Sequence, residues 1–292
     1  MAAGDLVTAD WQAEWSGLLF DGAQGVTSPF RTSSIEGLAD LAGLNTSDRP
    51  RLRRHGIIPG DDFVAEREIT WGLRIESSTT ESTLAACDLL RAATAPGAPE
   101  SPLVFRIPGI GGGAKCQVMA RCRKRSIPTG MAYRVGIVEA ALAFIATDPR
   151  IYGPAQSQTT TLPSGGGGLD VPADVPFVIG TAVTGGSIMA TNSGTFDSPF
   201  TARIDGPCVN PRLIDLTHDR FIQFNTSLDV GEWLDINSDQ RTVLFGGTAS
   251  RYSTIGPGSA WFDLPPGTSE ITFRAATNTA ATMTLSWRSA WV

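Results

Sequence analysis

Lysine is almost missing from this chain. Of 23 basic residues only Lys115 and Lys124 are lysines, and the rest are arginines. So strong an arginine bias reflects genomic base composition more than chemistry. Histidine is as scarce, with His55 and His218 alone. Nucleophilic catalysis needs a base, usually histidine, beside a serine or cysteine. The two histidines fall in different halves, and no Gly-x-Ser-x-Gly elbow exists, so no catalytic residue is assigned. Excess positive charge is also lacking. The net charge is −6, residues 1–155 hold 16 basic and 17 acidic residues, and 156–292 hold 7 and 12. Neither half is a basic nucleic-acid-binding domain. No apolar run approaches the ~18 residues of a membrane span. Met1–Asp10 carries two acids, no basic residue and no apolar stretch, which does not read as a secretory leader.

The four cysteines, Cys87, Cys116, Cys122 and Cys208, match no zinc or redox spacing. They read as buried free thiols of a chain made in a reducing cytoplasm. Metal binding needs clustered ligands, and none are spaced for it. The acids Asp229, Glu232, Asp235 and Asp239 read as a solvated strand face without the glycine-centred loop of a calcium site. Gly109-Ile110-Gly111-Gly112-Gly113-Ala114 fits a dinucleotide pattern formally. That chemistry requires a helix next, and Cys116–Arg125 reads as a strand, so the glycines read as a hairpin tip and no cofactor is expected.

What is abundant is turn chemistry: 32 glycines and 19 prolines, alongside 41% hydrophobic residues. That combination fits a turn-rich β protein with a real core. The clearest break, from Asp148 to Val175, is dense in Gly and Pro and divides the chain into 1–152, a linker 153–175, and 176–292.

In the first part, Ile69, Trp71, Leu73 and Ile75 alternate with polar residues, a strand with one buried face. Ser78-Thr79-Thr80-Glu81 reads as a capping box opening one helix, with Leu84, Cys87 and Leu90 at helical spacing before Pro96-Gly97. Leu103–Ile107 and Cys116–Arg123 read as a hairpin. Tyr133–Thr147 reads as one long strand, apolar on both faces and so covered on both, by the helix or by another subunit. Residues 21–60 have weak periodicity and read as a long loop or arm, a feature that is often functional. Two arginine clusters stand out, Arg49–Arg54 and Arg121, Arg123, Lys124, Arg125, with the last three arginines on one strand face.

In the last part, short apolar segments recur every 8–14 residues, from Ser187–Asn192 to Thr282–Trp287, and include Ala260–Leu264. That rhythm reads as an antiparallel β-sandwich, with Trp233, Trp261, Trp287 and Trp291 as core residues.

Several stretches resemble the distal tail protein family of long-tailed bacteriophages, the siphovirus-type minor tail proteins. They are Gly206-Pro207-Cys208-Val209-Asn210-Pro211, Leu228-Asp229-Val230-Gly231-Glu232-Trp233-Leu234-Asp235-Ile236-Asn237, and Ser259 through Gly267. Ile271-Thr272-Phe273 and Ser286 through Trp291 complete the set at the C-terminal end. Nearer the start, Glu66-Arg67-Glu68-Ile69-Thr70 and Asp148-Pro149-Arg150-Ile151-Tyr152-Gly153 are similar to the family's first domain and its exit. The resemblance implies a mainly β fold: a tail-tube-like barrel or sandwich with one helix, then a galectin-like antiparallel β-sandwich. It implies a virion structural protein with no enzymatic role, assembled in the host cytoplasm as a homohexameric ring at the tail tip. The implied partners are the major tail tube protein and the tail-tip hub protein, with the tape-measure protein a further candidate. Neither sequence-specific nucleic acid nor membrane insertion is implied. In that picture edge strands of residues 1–150 pair around the ring, and the arginine clusters face acids of a neighbour or the lumen. The alternatives are a carbohydrate-binding module contacting host cell-wall saccharide, and a tail-associated glycosidase.

Overall fold

The computed structural model describes residues 2–22, 28–163, 185–277 and 280–292. The chain divides into two compact units, Met1–Pro154 with Trp291–Val292, and Ala155–Ala290.

The first unit begins with strands β1 (Gln12–Trp15), β2 (Leu18–Asp21) and β3 (Phe30–Glu36). A ribbon follows, made of β4 (Leu44–Thr46), β5 (Arg49–Pro50), β6 (Ile57–Ile58) and β7 (Asp62–Val64). Then come β8 (Arg67–Glu76), helix α1 (Thr80–Ala93), β9 (Ser101–Arg106), β10 (Cys116–Ser126), the short helix α2 (Met131–Arg134) and β11 (Ile137–Ala146). Seven strands run in the order β11-β8-β3-β2-β1-β9-β10, and β10 pairs back onto β11, which closes a barrel. Only β2 and β3 pair in parallel within it.

The alternation read from the sequence places β8. Ile69, Trp71, Leu73 and Ile75 are fully buried in the barrel, while Glu68, Thr70 and Arg74 face out. On β11 the inward residues are Val138, Ala140, Leu142, Phe144 and Ala146. The opposite face, with Ile137, Ala141, Ala143 and Ile145, is only half-buried. Within one chain that face is thus not fully covered by the helix, and the expected start of the strand at Tyr133 is corrected. Residues 131–134 are helical, Gly136 turns at positive φ, and Val135 is exposed. The helix cap also sits one residue later than expected. Thr79 is the N-cap, its hydroxyl accepts from the Ser82 N–H, and the Ser82 hydroxyl accepts from the Thr79 N–H. A serine replaces the glutamate of the usual box. Cys87 and Leu90 are buried as expected, with Thr83 and Ala86 beside them in place of Leu84.

The second unit is a two-sheet antiparallel sandwich. Strand β12 (Ile151–Thr161) starts in the first unit and ends in the second. It is followed by β13 (Ser187–Asn192), β14 (Phe200–Asp205), β15 (Cys208–Val209), β16 (Arg212–Asp215), β17 (Arg220–Gln223) and β18 (Ser227–Leu228). The last are β19 (Trp233–Asn237), β20 (Thr242–Phe245), β21 (Ala249–Ser250), β22 (Gly267–Arg274) and β23 (Thr282–Trp291). One sheet runs β12-β23-β14-β19-β20-β21, the other β13-β22-β16-β17. Alternate residues of both, such as Phe200, Ile204, Leu234, Leu285, Leu213 and Phe273, fill the space between them.

The linker expectation fails over 153–161, where β12 is regular strand. The Ser157 and Thr159 hydroxyls meet those of Ser286 and Thr284 on β23 at 3.0 and 2.9 Å. Hydroxyl-rich strands suit an exposed sheet face, so the Ser/Thr/Gln composition marked a surface strand, not a linker. The linker expectation from residue 164 onward falls outside the described residues. Ala260–Leu264 is not a strand either; Leu264 makes an isolated bridge to Ser198. Of the four tryptophans expected in the core only Trp287 is buried, and Trp233, Trp261 and Trp291 are half-buried.

Candidate assembly surfaces

Residues 37–66 are not a loop. β4 pairs with β7 from Leu44↔Val64 to Thr46↔Asp62, and β5 pairs with β6 at Arg49↔Ile58 and Pro50↔Ile57. The result is a hairpin arm. The Arg51 N–H donates to the Gly56 carbonyl to close its tip, with Arg53 and Gly56 at positive φ. Two-residue strand segments explain why no periodicity was visible.

The arm is exposed along its length, and its exposed residues include large apolar ones. Leu52 at the tip is 90% exposed, and Leu44, Ile57, Ile58 and Phe63 are also open to solvent. Exposed apolar residues gathered on one protruding element mark an interaction surface. Its charge is segregated. Residues 49–58 hold Arg49, Arg51, Arg53 and Arg54 with no acid, and among the described residues none of these arginines makes an ion pair. Acids stand at Asp48, where the carboxylate accepts from the Gly60 N–H, at Asp61 and Asp62, and, at the arm's root, at Asp40, Glu66 and Glu68.

Arg67 fixes that root. It is 1% exposed and donates to the carbonyls of Gly37, Leu38, Asp40 and Pro149 at 2.8–3.1 Å. Burial lowers its pKa, and the charge of Asp40 partly offsets this. Two stretches that carried the family resemblance, around Arg67 and around Pro149, therefore meet in space. Beside Pro149 the Tyr152 hydroxyl donates to Asp148 at 2.6 Å; desolvation, then Asp148 itself, raises the tyrosine's pKa.

The second arginine cluster does not share one face. β10 bulges between Cys122 and Lys124, which breaks the alternation. Arg125 instead donates to the Arg91 carbonyl and the Thr94 hydroxyl at the C-terminal end of α1, where a cation is favoured. Arg121 and Arg123 line a recess of about 270 Å³ with Trp15 and residues 95–98.

The residues considered for chemistry lie apart. His55 is exposed on the arm tip, in the first unit. His218, in the second, contacts the fully buried carboxylate of Asp215 at 2.9 Å, and Arg220 donates to the same oxygen. Asp215 also accepts from the N–H groups of Thr217 and His218, so it organises a turn. The four cysteines are free thiols; three are buried and Cys122 is partly exposed. A strand, not a helix, follows the glycines 109–113, as expected for a hairpin tip. Among the described residues no group of three His, Cys, Asp or Glu is placed to hold a metal ion, and no helix is long and apolar enough to cross a membrane.

The outer face of the β14–β19 sheet carries a groove of about 400 Å³ that includes Arg203, Asp235, Asn237 and Gln240 with Ala202, Ile236 and Leu244. Beside it Arg203 lies 4.5 Å from the Trp233 ring centroid, and the Trp233 indole N–H donates to Asp235. Trp261 stacks on Tyr252. Asp229 and Glu232 are tied to each other through the Asp229 N–H, and Asp235 faces this groove.

The structure is similar to the crystal structure of the Dit protein of phage SPP1, described as a paradigm of the hub adsorption apparatus in phages infecting Gram-positive hosts. The TM-score is 0.64 at 13% identity, covering 96% of this chain and 99% of that one. Chains of the phage P2 baseplate in its activated conformation, with calcium and with strontium, match at a TM-score of 0.50 and 11% identity, over 94% of this chain and 97% of theirs. No curated protein matches. Residues 193–291 match the family model of the siphovirus-type tail component, C-terminal domain. The family match is thus confined to the second unit, and the whole chain shares the fold of the Dit protein.

Proposed function

We propose that this chain is a structural component of a phage tail tip, a distal tail protein that joins the tail tube to the host-recognition apparatus. The observation that carries the reading is end-to-end agreement with one hub protein's fold, together with the family match over 193–291. The role is architectural, not enzymatic. The ring is built mainly by the first unit, residues 1–154, and six copies close it, the number being implied by the family resemblance. Partners are further copies of the chain, the major tail tube protein and the tail-tip hub protein, with the tape-measure protein a candidate inside the ring. The arm and the Arg121/Arg123 recess supply side chains for contacts around or along the ring.

Cryo-EM of assembled tails tests this directly. A six-fold ring of first units at the tube's distal end is the expected result. A single copy per tail, or a ring held together by second units alone, overturns it.

A further inference from the structure

The geometry points to one specific contact between copies: the arm tip, residues 49–58, docks into the groove at the root of the next copy's arm. This inference rests on the ring reading above and names the surfaces that make it.

The receiving groove holds about 330 Å³ between Leu41, Ala42, Gly43, Ala65, Glu66 and Glu68. Leu41 is exposed at its mouth. Glu66 and Glu68 are exposed, and neither makes an ion pair among the described residues. The groove is thus mixed, with Leu41, Ala42 and Ala65 beside these two carboxylates. The tip is its complement, with Leu52 at the apex and Arg49, Arg51, Arg53 and Arg54 around it. Opposed charges at a rim steer association and set register, and the apolar apex supplies the burial.

A tip cannot reach its own groove. The pairing from Leu44↔Val64 to Pro50↔Ile57 holds the arm extended, which at ~3.3 Å per residue places the tip about 20 Å from the root. Tip and groove are also different surfaces, so their contact is heterologous: each copy gives a tip to one neighbour and takes one from the other. The receiving end is rigid beforehand. Arg67 clamps the carbonyls of Gly37, Leu38 and Asp40, next to Leu41, which reduces the ordering lost on docking.

The test uses the full chain, purified and in assembled tails, in a Cys122→Ser background because the other thiols are buried. Leu52→Cys and Leu41→Cys variants are mixed and oxidised. Disulfide-linked dimers that need both variants are expected. Dimers from Leu52→Cys alone, or no dimers in tails that contain the ring, overturn the docking while the ring reading stands. If no ring exists, the ring reading falls first and the docking with it.

Charge reversal gives a second readout. Glu66→Lys with Glu68→Lys weakens self-association about tenfold or more, and adding Arg51→Glu with Arg53→Glu restores it. Unchanged self-association overturns the proposal. So does binding of a short DNA duplex through the tip arginines with self-association unaffected.

Discussion

Arg67 shows why some residues matter without leaving a pattern. Its four partners are backbone carbonyls at positions 37, 38, 40 and 149, so no complementary side chain signals it in the sequence. Removing it leaves buried acceptors without donors, and Arg67→Met is expected to lower stability by about 2–4 kcal/mol. Arg67→Lys recovers only part, because an ammonium cannot span the four carbonyls. Chemical denaturation measures both. If the root is held by Arg67, limited proteolysis of the Met variant cuts first between residues 37 and 66. The thiols make a second residue-scale case. Their scarcity and spacing were legible as free cysteines, and burial pushes Cys116 and Cys208 up to about 11. In the unfolded chain they ionise near 9.0. The folded state therefore holds protons that the unfolded state releases. The associated stability is fully present below about 9 and is lost as pH rises through about 11. A maleimide at neutral pH is expected to label Cys122 first, and equal labelling of Cys116 or Cys208 contradicts the burial argument.

At the scale of elements, strands long enough to alternate were readable. β8 falls where period two placed it, the sandwich strand β13 falls on the first of the recurring apolar segments, and β9 and β10 form the expected hairpin. What failed had a physical cause in each case. A single bulge at 122–124 reassigned Arg125. The arm's strand segments are too short to show a period. The hydroxyl-rich β12 passed for a linker because its pairing is made with β23, more than 120 residues away. That strand sets an expectation for fragments. A piece starting at residue 176 lacks the β12 partner of β23, whereas one starting at Ala155 keeps it. The longer piece is expected to be the more stable under urea, with a far-UV spectrum dominated by strand. Within the sandwich Leu264 and Phe273 are fully buried, so truncation of either to Ala costs on the order of 2–5 kcal/mol. A loss below 1 kcal/mol at both sites, roughly that of a surface change, contradicts the packing described here.

For the molecule as a whole, fold class and the division into two β units were visible in the rhythm of apolar segments and turn residues. The surfaces proposed for assembly were visible only as two arginine clusters and a stretch read as a loop or arm. A glycan role fits the second unit poorly. The Trp233 ring has Arg203 across it and Trp261 has Tyr252, so neither offers the open aromatic platform that sugars use. A screen of wall saccharides is expected to find nothing at millimolar affinity or tighter. A hit lost on Trp233→Ala or Trp261→Ala overturns that.

The pairing of β10 onto β11 closes the barrel within one chain, while the strands of the arm, β4–β7 and β5–β6, stay two-stranded. The closure has a bearing on timing. The barrel is closed by strands of its own chain, so its folding does not wait for a neighbour's strand. On the ring reading, assembly then draws on subunits that are already folded, and its speed is expected to follow their concentration rather than their folding rate.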